Sequence, residues 1–134
     1  MLWLHPQHVR TFSVSFGEGE KPLYEIKANL FKGLAHPYRI RILELLAGVA
    51  EAPVSVLITQ TGLEASHLSQ HLAVLRKYGL VLSDRRASGV YYRLAFPQVA
   101  DLLRVARQLL GETLHASQAH EESARSLPTI SSAR

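Results

Sequence analysis

Apolar positions recur at helical spacing along most of the chain and switch to alternation in one short stretch. In "PLYEIKANLFKGLA", Leu23, Ile26, Leu30 and Leu34 line one stripe of a helix, and Tyr24, Ala28, Phe31 and Ala35 line a second. Two stripes describe a helix that meets two partners, such as its own core and another subunit. His36-Pro37 breaks this helix and starts the next, "PYRIRILELLA", with Ile40, Leu43 and Leu46 apolar and Arg39 and Arg41 off that face. Residues 48–52 read as a loop, and Pro53 opens a short helix, "PVSVLITQ", that Thr61-Gly62 ends. The clearest helix is "LEASHLSQHLAVLRKYG", residues Leu63 to Gly79. Leu68, Leu72 and Leu75 form its buried face, and Gly79 is its stop.

The period changes in "LVLSDRRASGVYYRLA": an apolar strand, a basic turn at Ser88-Gly89, then Val90, Tyr92 and Leu94 alternating inward, which is a β-hairpin. After Pro97 helical spacing returns, with Val99, Leu102, Leu103, Ala106, Leu109, Leu110 and Leu114 on a stripe too long and wide for the edge of a small domain. That stripe calls for a partner. The flanks carry weaker patterns. Residues 1–21 read as an arm, with "FSVSF" alternating and "GEGEKP" as a linker. Residues 117–134 are polar and Ser/Ala-rich without periodicity, which predicts a disordered tail. The expected architecture is one domain over residues 22–116, mainly α with a small β-hairpin.

The short helix, the "TGL" turn and the polar helix that follows compose a helix-turn-helix, and the hairpin behind it makes the motif winged. A helix fits the major groove of DNA, its outward polar side chains reach base edges, and flanking Arg and Lys neutralise phosphates. At about 100° per residue, the leucines of the polar helix turn Ser66, Gln70, Ala73 and Lys77 outward. They leave His67 on one flank and His71 about 70° from the core direction, at the boundary. The candidate DNA-binding residues are therefore Ser66, His67, Ser69, Gln70, His71, Arg76 and Lys77 on the helix, with Arg85, Arg86, Tyr91 and Arg93 on the wing. Gln70 suits adenine, and small hydroxyl residues tolerate bases and phosphates.

Composition narrows the alternatives. The chain has 134 residues, 47% of them hydrophobic and 19% charged, with a net charge of +4. That is an ordinary globular composition with a basic excess compatible with a nucleic-acid partner. There is no cysteine, so disulfides, thiolate metal sites and cysteine nucleophiles are all excluded. No paired-carboxylate site and no phosphate-cradling glycine loop suggests an enzyme. No apolar run reaches the roughly 20 residues that span a bilayer, and "MLWLHPQHVR" lacks the order of a signal peptide, so a cytoplasmic protein is expected.

Over most of the chain, from Leu23 to Leu114, the sequence resembles the ArsR/SmtB family of dimeric winged helix-turn-helix repressors. The stretches "LFKGLAHPYRIRILELL", "SHLSQHLAVLRKYGLV" and "RRASGVYYRL" carry the resemblance, in the family's order. It is similar above all to the cysteine-free actinobacterial members. The resemblance implies a homodimer built on the first and last helices, through Leu23, Ile26, Leu30, Leu102, Leu103, Ala106, Leu109 and Leu110. It also implies an inverted-repeat operator whose occupation blocks transcription. The family's metal-sensing branch carries a "CxC" motif before the turn; here the equivalent stretch is "PVSVLIT", with no thiol. A second family site uses Asp/His pairs along the last helix. Asp101 is present, but Leu103, Leu114 and Ser117 stand where its other ligands belong.

Histidines raise the remaining alternative. His67 and His71 share the i, i+4 spacing of a metal pair but lack further ligands on their face. His5, His8, His115 and His120 are candidates for a nickel, cobalt or zinc site formed between arm and last helix, although nothing fixes their geometry. His36, ahead of Pro37, reads as structural, either a helix cap or a buried hydrogen-bond partner. The expectation is a protein without cofactor, bound to double-stranded DNA as a dimer and answering to an unknown small effector. A winged helix serving as a protein-interaction module is the rival from another class.

Overall fold

The computed structural model describes residues 21–126. Five helices and three short strands follow in the order α1 (Lys21–Leu34), α2 (Pro37–Ala47), β1 (Ala52–Pro53), α3 (Val54–Thr61), α4 (Ala65–Lys77), β2 (Val81–Arg86), β3 (Gly89–Leu94) and α5 (Gln98–Ser126). The architecture is a winged helix-turn-helix, mostly helical with a small antiparallel sheet. No helix among the described residues is long and apolar enough to cross a membrane.

The α1–α2 break is built from its own residues. His36 is extended, and its ring Nδ1 accepts the backbone N–H of Tyr38 at 3.1 Å, capping α2 with Pro37 in the first turn. Arg39 reaches back, donating from Nε to the Gly33 carbonyl at 2.7 Å and from Nη2 to that of Lys32 at 3.2 Å. It thereby supplies a donor to the Gly33 carbonyl and a second one to that of Lys32, which also accepts the Ala35 N–H at 3.2 Å. Of the two roles expected of His36 the cap is present, and Arg39 is spent on structure.

Around this frame Ile42, Leu43 and Leu46 of α2, Leu57 of α3 and Leu68, Leu72 and Leu75 of α4 close a core with Leu80, Val81 and Tyr92. Each buried leucine is worth about 1.5–3 kcal/mol over an exposed one. Between α3 and α4 the chain turns at Gly62, whose φ of 71° is left-handed and whose N–H bonds Ile58 O at 2.9 Å. Thr61 staples the same turn, donating its hydroxyl to Leu57 O at 2.6 Å and accepting from Leu63 N at 3.3 Å. At the far end of α4, Leu80 N bonds Leu75 O and Gly79 N bonds Arg76 O, a Schellman stop with both leucines buried.

Three expectations are corrected. The loop at residues 48–52 ends in a strand: Ala52 and Pro53 pair with Tyr92 and Tyr91, making the hairpin a three-stranded sheet in the order β1-β3-β2. Two residues are too few to show alternation, and proline is tolerated on an edge strand because it needs no donor there. Second, α5 continues beyond Ala116 to Ser126, so part of the expected tail is helix. Good helix formers such as Ala119, Glu121, Glu122 and Ala124, and the Glu121–Arg125 pair at 3.2 Å, sustain an exposed helix that apolar periodicity cannot reveal. Third, Leu103 lies 7% exposed in the protomer's own core, one turn after buried Val99, and so faces inward and away from any partner.

The left-handed turn yields the first test. Among the described residues, a Cβ on Gly62 would meet nothing within 4 Å. Gly62→Ala should therefore cost only the conformational penalty, about 1–2 kcal/mol, read from the urea midpoint at unchanged slope. A loss beyond about 3 kcal/mol, outside the conformational range, would show that the turn depends on contacts absent here.

Candidate nucleic-acid interface

Helix α4 is gripped along one edge by Leu68, Leu72 and Leu75, and the opposite side is exposed at Ser66, His67, Ser69, Gln70, Ala73, Arg76 and Lys77. The orientation agrees with the helical wheel. The exposed surface is short, uncharged in its first two turns, and basic only at its end, where Arg76 and Lys77 also complement the helix dipole.

Strand alternation divides the basic wing. Ser83 and Arg85 of β2, with Val90 and Tyr92 of β3, lie on the face toward α4. They enclose a notch of about 300 Å³ whose other walls are Val54, Ala65, Ser69, Leu72 and Arg76. Arg76 Nη1 donates to Ser83 Oγ at 3.2 Å, bracing the helix against the strand. The guanidinium groups of Arg76 and Arg85 and the hydroxyl residues Ser69 and Ser83 thus line the notch beside apolar side chains, and among the described residues no carboxylate does. The arrangement suits a single phosphate: charge to neutralise it and donors to orient it.

The other face of the wing is self-neutralised. Arg86 forms a two-pronged pair with Glu51, Nη1 to Oε1 at 2.7 Å and Nη2 to Oε2 at 2.5 Å, and also bonds Asp84 Oδ2 from Nε at 3.0 Å. Its guanidinium lies 4.3 Å from the centre of the Tyr91 ring. Hydrogen bonds from Arg86, with smaller help from its charge and that of Arg93, hold the Glu51 carboxyl below the usual carboxylate range. Those from Glu51 and then Asp84 hold Arg86 still more firmly protonated. Arg86 is therefore occupied within the protomer, and the structure does not place it with Arg85. Tyr91 supports it from below, and its hydroxyl meets Ser88 Oγ at 2.7 Å. Arg93 shares this outer face and is exposed. Neither Glu51 nor Asp84 stands out in the sequence as a site residue. The i, i+2 spacing of Asp84 and Arg86 was the available signal for one, whereas Glu51 becomes visible only once β1 joins the sheet.

His71 belongs to the back of α4. Its ring centre lies 4.4 Å from that of His36 and 6.0 Å from that of Tyr38, both at the start of α2. Burial pushes its pKa below the ordinary value of 6.5, with smaller contributions from the charges of His36, Arg39 and His67. Among the described residues no carboxylate opposes these. His71 is thus a half-buried packing residue beside the reading surface. Of the terminal histidines, His5 and His8 lie outside the described residues. His115 and His120 are exposed on α5, about 140° apart around the helix at five residues' separation. Among the described residues, no group of three or more His, Asp or Glu is placed to hold a metal ion.

The remaining apolar stripe is open. Leu23, Ile26, Leu109 and Leu110 are 55–66% exposed, Ala106 is exposed beside them, and Leu30 and Leu102 are half-buried. Between α1 and α5, Leu30, Leu80, Phe96, Val99 and Leu102 line an apolar groove of about 480 Å³.

Residues 34–84, the span from the end of α1 to β2, match the family model described as a helix-turn-helix domain. The chain is 48% identical over 94 residues to the HTH-type transcriptional regulator Rv0081 of Mycobacterium tuberculosis, covering 70% of this chain and 82% of that protein. The crystal structure of Rv0081 superposes with a TM-score of 0.67 at 47% identity, over 72% of this chain and 97% of that one. The homodimeric winged helix-turn-helix DNA-binding domain of Mb0332 from Mycobacterium bovis, described as a possible ArsR-family regulator, superposes with a TM-score of 0.66 at 31% identity, over 74% and 91% of the two chains. The transcriptional repressor PagR of Bacillus anthracis is similar at a TM-score of 0.56 and 29% identity, over 62% of this chain and 94% of that one.

The His71 environment sets a pH dependence. With a folded-state pKa below 6.5, the folded protein takes up this proton less readily than the unfolded chain. The contribution is complete above about pH 6.5 and is lost as pH falls through the folded-state value. Thermal unfolding from about pH 7.5 down to about pH 5 should show a steeper decline in midpoint for the native protein than for His71→Gln. Parallel declines would mean that the ring is as well solvated folded as unfolded.

Proposed function

Since the chain belongs to the ArsR/SmtB family of winged helix-turn-helix transcriptional regulators, we propose that it is a homodimeric repressor that reads an inverted-repeat operator. Helix α4 enters the major groove with Ser66, Ser69 and Gln70 facing the bases, His67 at their edge and Lys77 toward the backbone. The observation that carries the reading is the notch between α4 and the wing, which no acid among the described residues lines. Its cations, Arg76 and Arg85, with Ser69 and Ser83, receive a backbone phosphate beside the bases that α4 reads. Arg93 approaches the backbone from the outer face of the wing, and Arg86 holds that face in shape.

The dimer follows from the exposed stripe. Leu23 and Ile26 of α1 with Ala106, Leu109 and Leu110 of α5 are apolar residues that a soluble monomer leaves costly in water, and Leu30 and Leu102 continue the surface inward. Pairing α1 and α5 with their copies covers them and supplies the two-fold axis that an inverted repeat mirrors.

The separate roles of the two wing arginines are testable by fluorescence anisotropy on selected operator and on unrelated duplex. Gln70→Ala should cost about 1–3 kcal/mol of discrimination between them. Arg85→Ala should weaken both and lower the salt slope by about one. Arg86→Ala should leave the slope nearly unchanged, because its charge is already compensated. Sequence preference surviving intact in Gln70→Ala, or a larger slope change for Arg86 than for Arg85, contradicts the assignment.

A further inference from the structure

Where α1 ends and α4 ends, the two helices touch without room for a side chain on one of them. Gly33 is buried, and a Cβ added there would lie 2.9 Å from Cδ2, 3.0 Å from Cβ and 3.1 Å from Cγ of Tyr78. Two of these atoms are the root of the tyrosine, which cannot swing aside as a flexible tip can. Any residue larger than glycine at position 33 therefore displaces one helix against the other.

Both partners of the contact are held by backbone hydrogen bonds. Tyr78 is the last residue before the Schellman stop, its N–H bonding Val74 O at 3.1 Å, so it is locked to the end of α4. Gly33 is held through its carbonyl by Arg39 of α2 at 2.7 Å. Lys77 Nζ stands 5.5 Å from the Tyr78 ring centre on the open side. Apart from this joint, α1 and α4 serve different ends of the molecule: α1 carries the exposed apolar stripe, and α4 carries the polar reading surface.

Position makes the joint a lever. It lies at the C-terminal end of α4, and Ser66 lies about 18 Å away along the axis. Because Leu68, Leu72 and Leu75 fix α4 in the core, a tilt of about 10° at the joint swings α4 and the core together against α1 and moves Ser66 by about 3 Å, close to the ~3.4 Å rise of one base pair. We infer that Gly33 and Tyr78 are positioning residues that set the separation of the two reading helices in the dimer, and so the half-site spacing the protein accepts. The inference rests on the proposed dimer through α1 and on DNA reading by α4. Neither residue touches DNA in that arrangement.

The test is selection from a randomised duplex library of about 40 base pairs, with full-length native protein, Gly33→Ala, Tyr78→Ala and the double variant. Circular dichroism and sedimentation check that each is folded and dimeric. The native protein should enrich inverted repeats of one spacing. Gly33→Ala should keep the half-site sequence but shift or spread the spacing, with about tenfold weaker binding to the native-spaced operator. Tyr78→Ala, which empties the joint, should widen the accepted spacing by a base pair in either direction. In the double variant two of the three close atoms are gone, so most of the Gly33→Ala loss should return. Should Gly33→Ala fail to fold, Tyr78→Ala decides alone. Unchanged spacing in folded, dimeric variants overturns the joint while leaving the function standing. No enriched sequence for the native protein overturns the DNA-reading function on which the joint rests.

Discussion

Leu68, Leu72 and Leu75 hold α4 by one edge, and that grip fixes the rotation of the helix about its own axis. A helix placed by apolar contacts has no freedom to choose which side chains it shows. Ser66, Ser69 and Gln70 are outward because the leucines are inward, and His71 is turned to His36 and Tyr38 for the same reason. The left-handed turn at Gly62 and the Schellman stop at Gly79 then fix where the helix begins and ends. Rotation and position together make a polar surface into one that can be presented to a groove.

Charge is arranged by a second geometric rule, the alternation of a strand. Arg85 and Arg86 are neighbours in sequence and occupy opposite faces of β2. One joins Arg76, Ser69 and Ser83 in a notch that no acid among the described residues lines; the other is neutralised by Glu51 and Asp84 and stacks on Tyr91. Counting basic residues overstates the charge available to an external phosphate, because part of it stiffens the wing. The exposed pair of Arg86 and Glu51 contributes shape more than stability, as solvent screens such pairs.

Much of this was legible in the sequence, and for physical reasons. Periodicity reports burial, so every long apolar-faced helix was placed, as was the hairpin with Tyr92 inward. Proline and glycine report backbone conformation, and the break before α2, the end of α3 at Gly62 and the stop of α4 at Gly79 followed from them. What periodicity cannot report is partnership over distance. Ala52 pairing with Tyr92 and Glu51 reaching Arg86 depend on segments that are far apart in the chain. The exposed end of α5 has no buried face to produce a pattern. Leu103 stood on the same broad stripe as Leu102, and only the packing of α5 on α2 assigns one inward and leaves the other at the edge. Gly33 gave no signal at all, since its role lies in the side chain it lacks.

The notch and the polar face of α4 are consequential only if two copies present them to one duplex. Hydroxyl-radical footprinting of the full-length protein on its selected operator tests this most directly. The account predicts two protected backbone segments of equal strength, related by the operator's two-fold symmetry and centred about one helical turn, roughly 10 base pairs, apart. Protection of a single half-site at saturation, or a uniform pattern without symmetry, would contradict it.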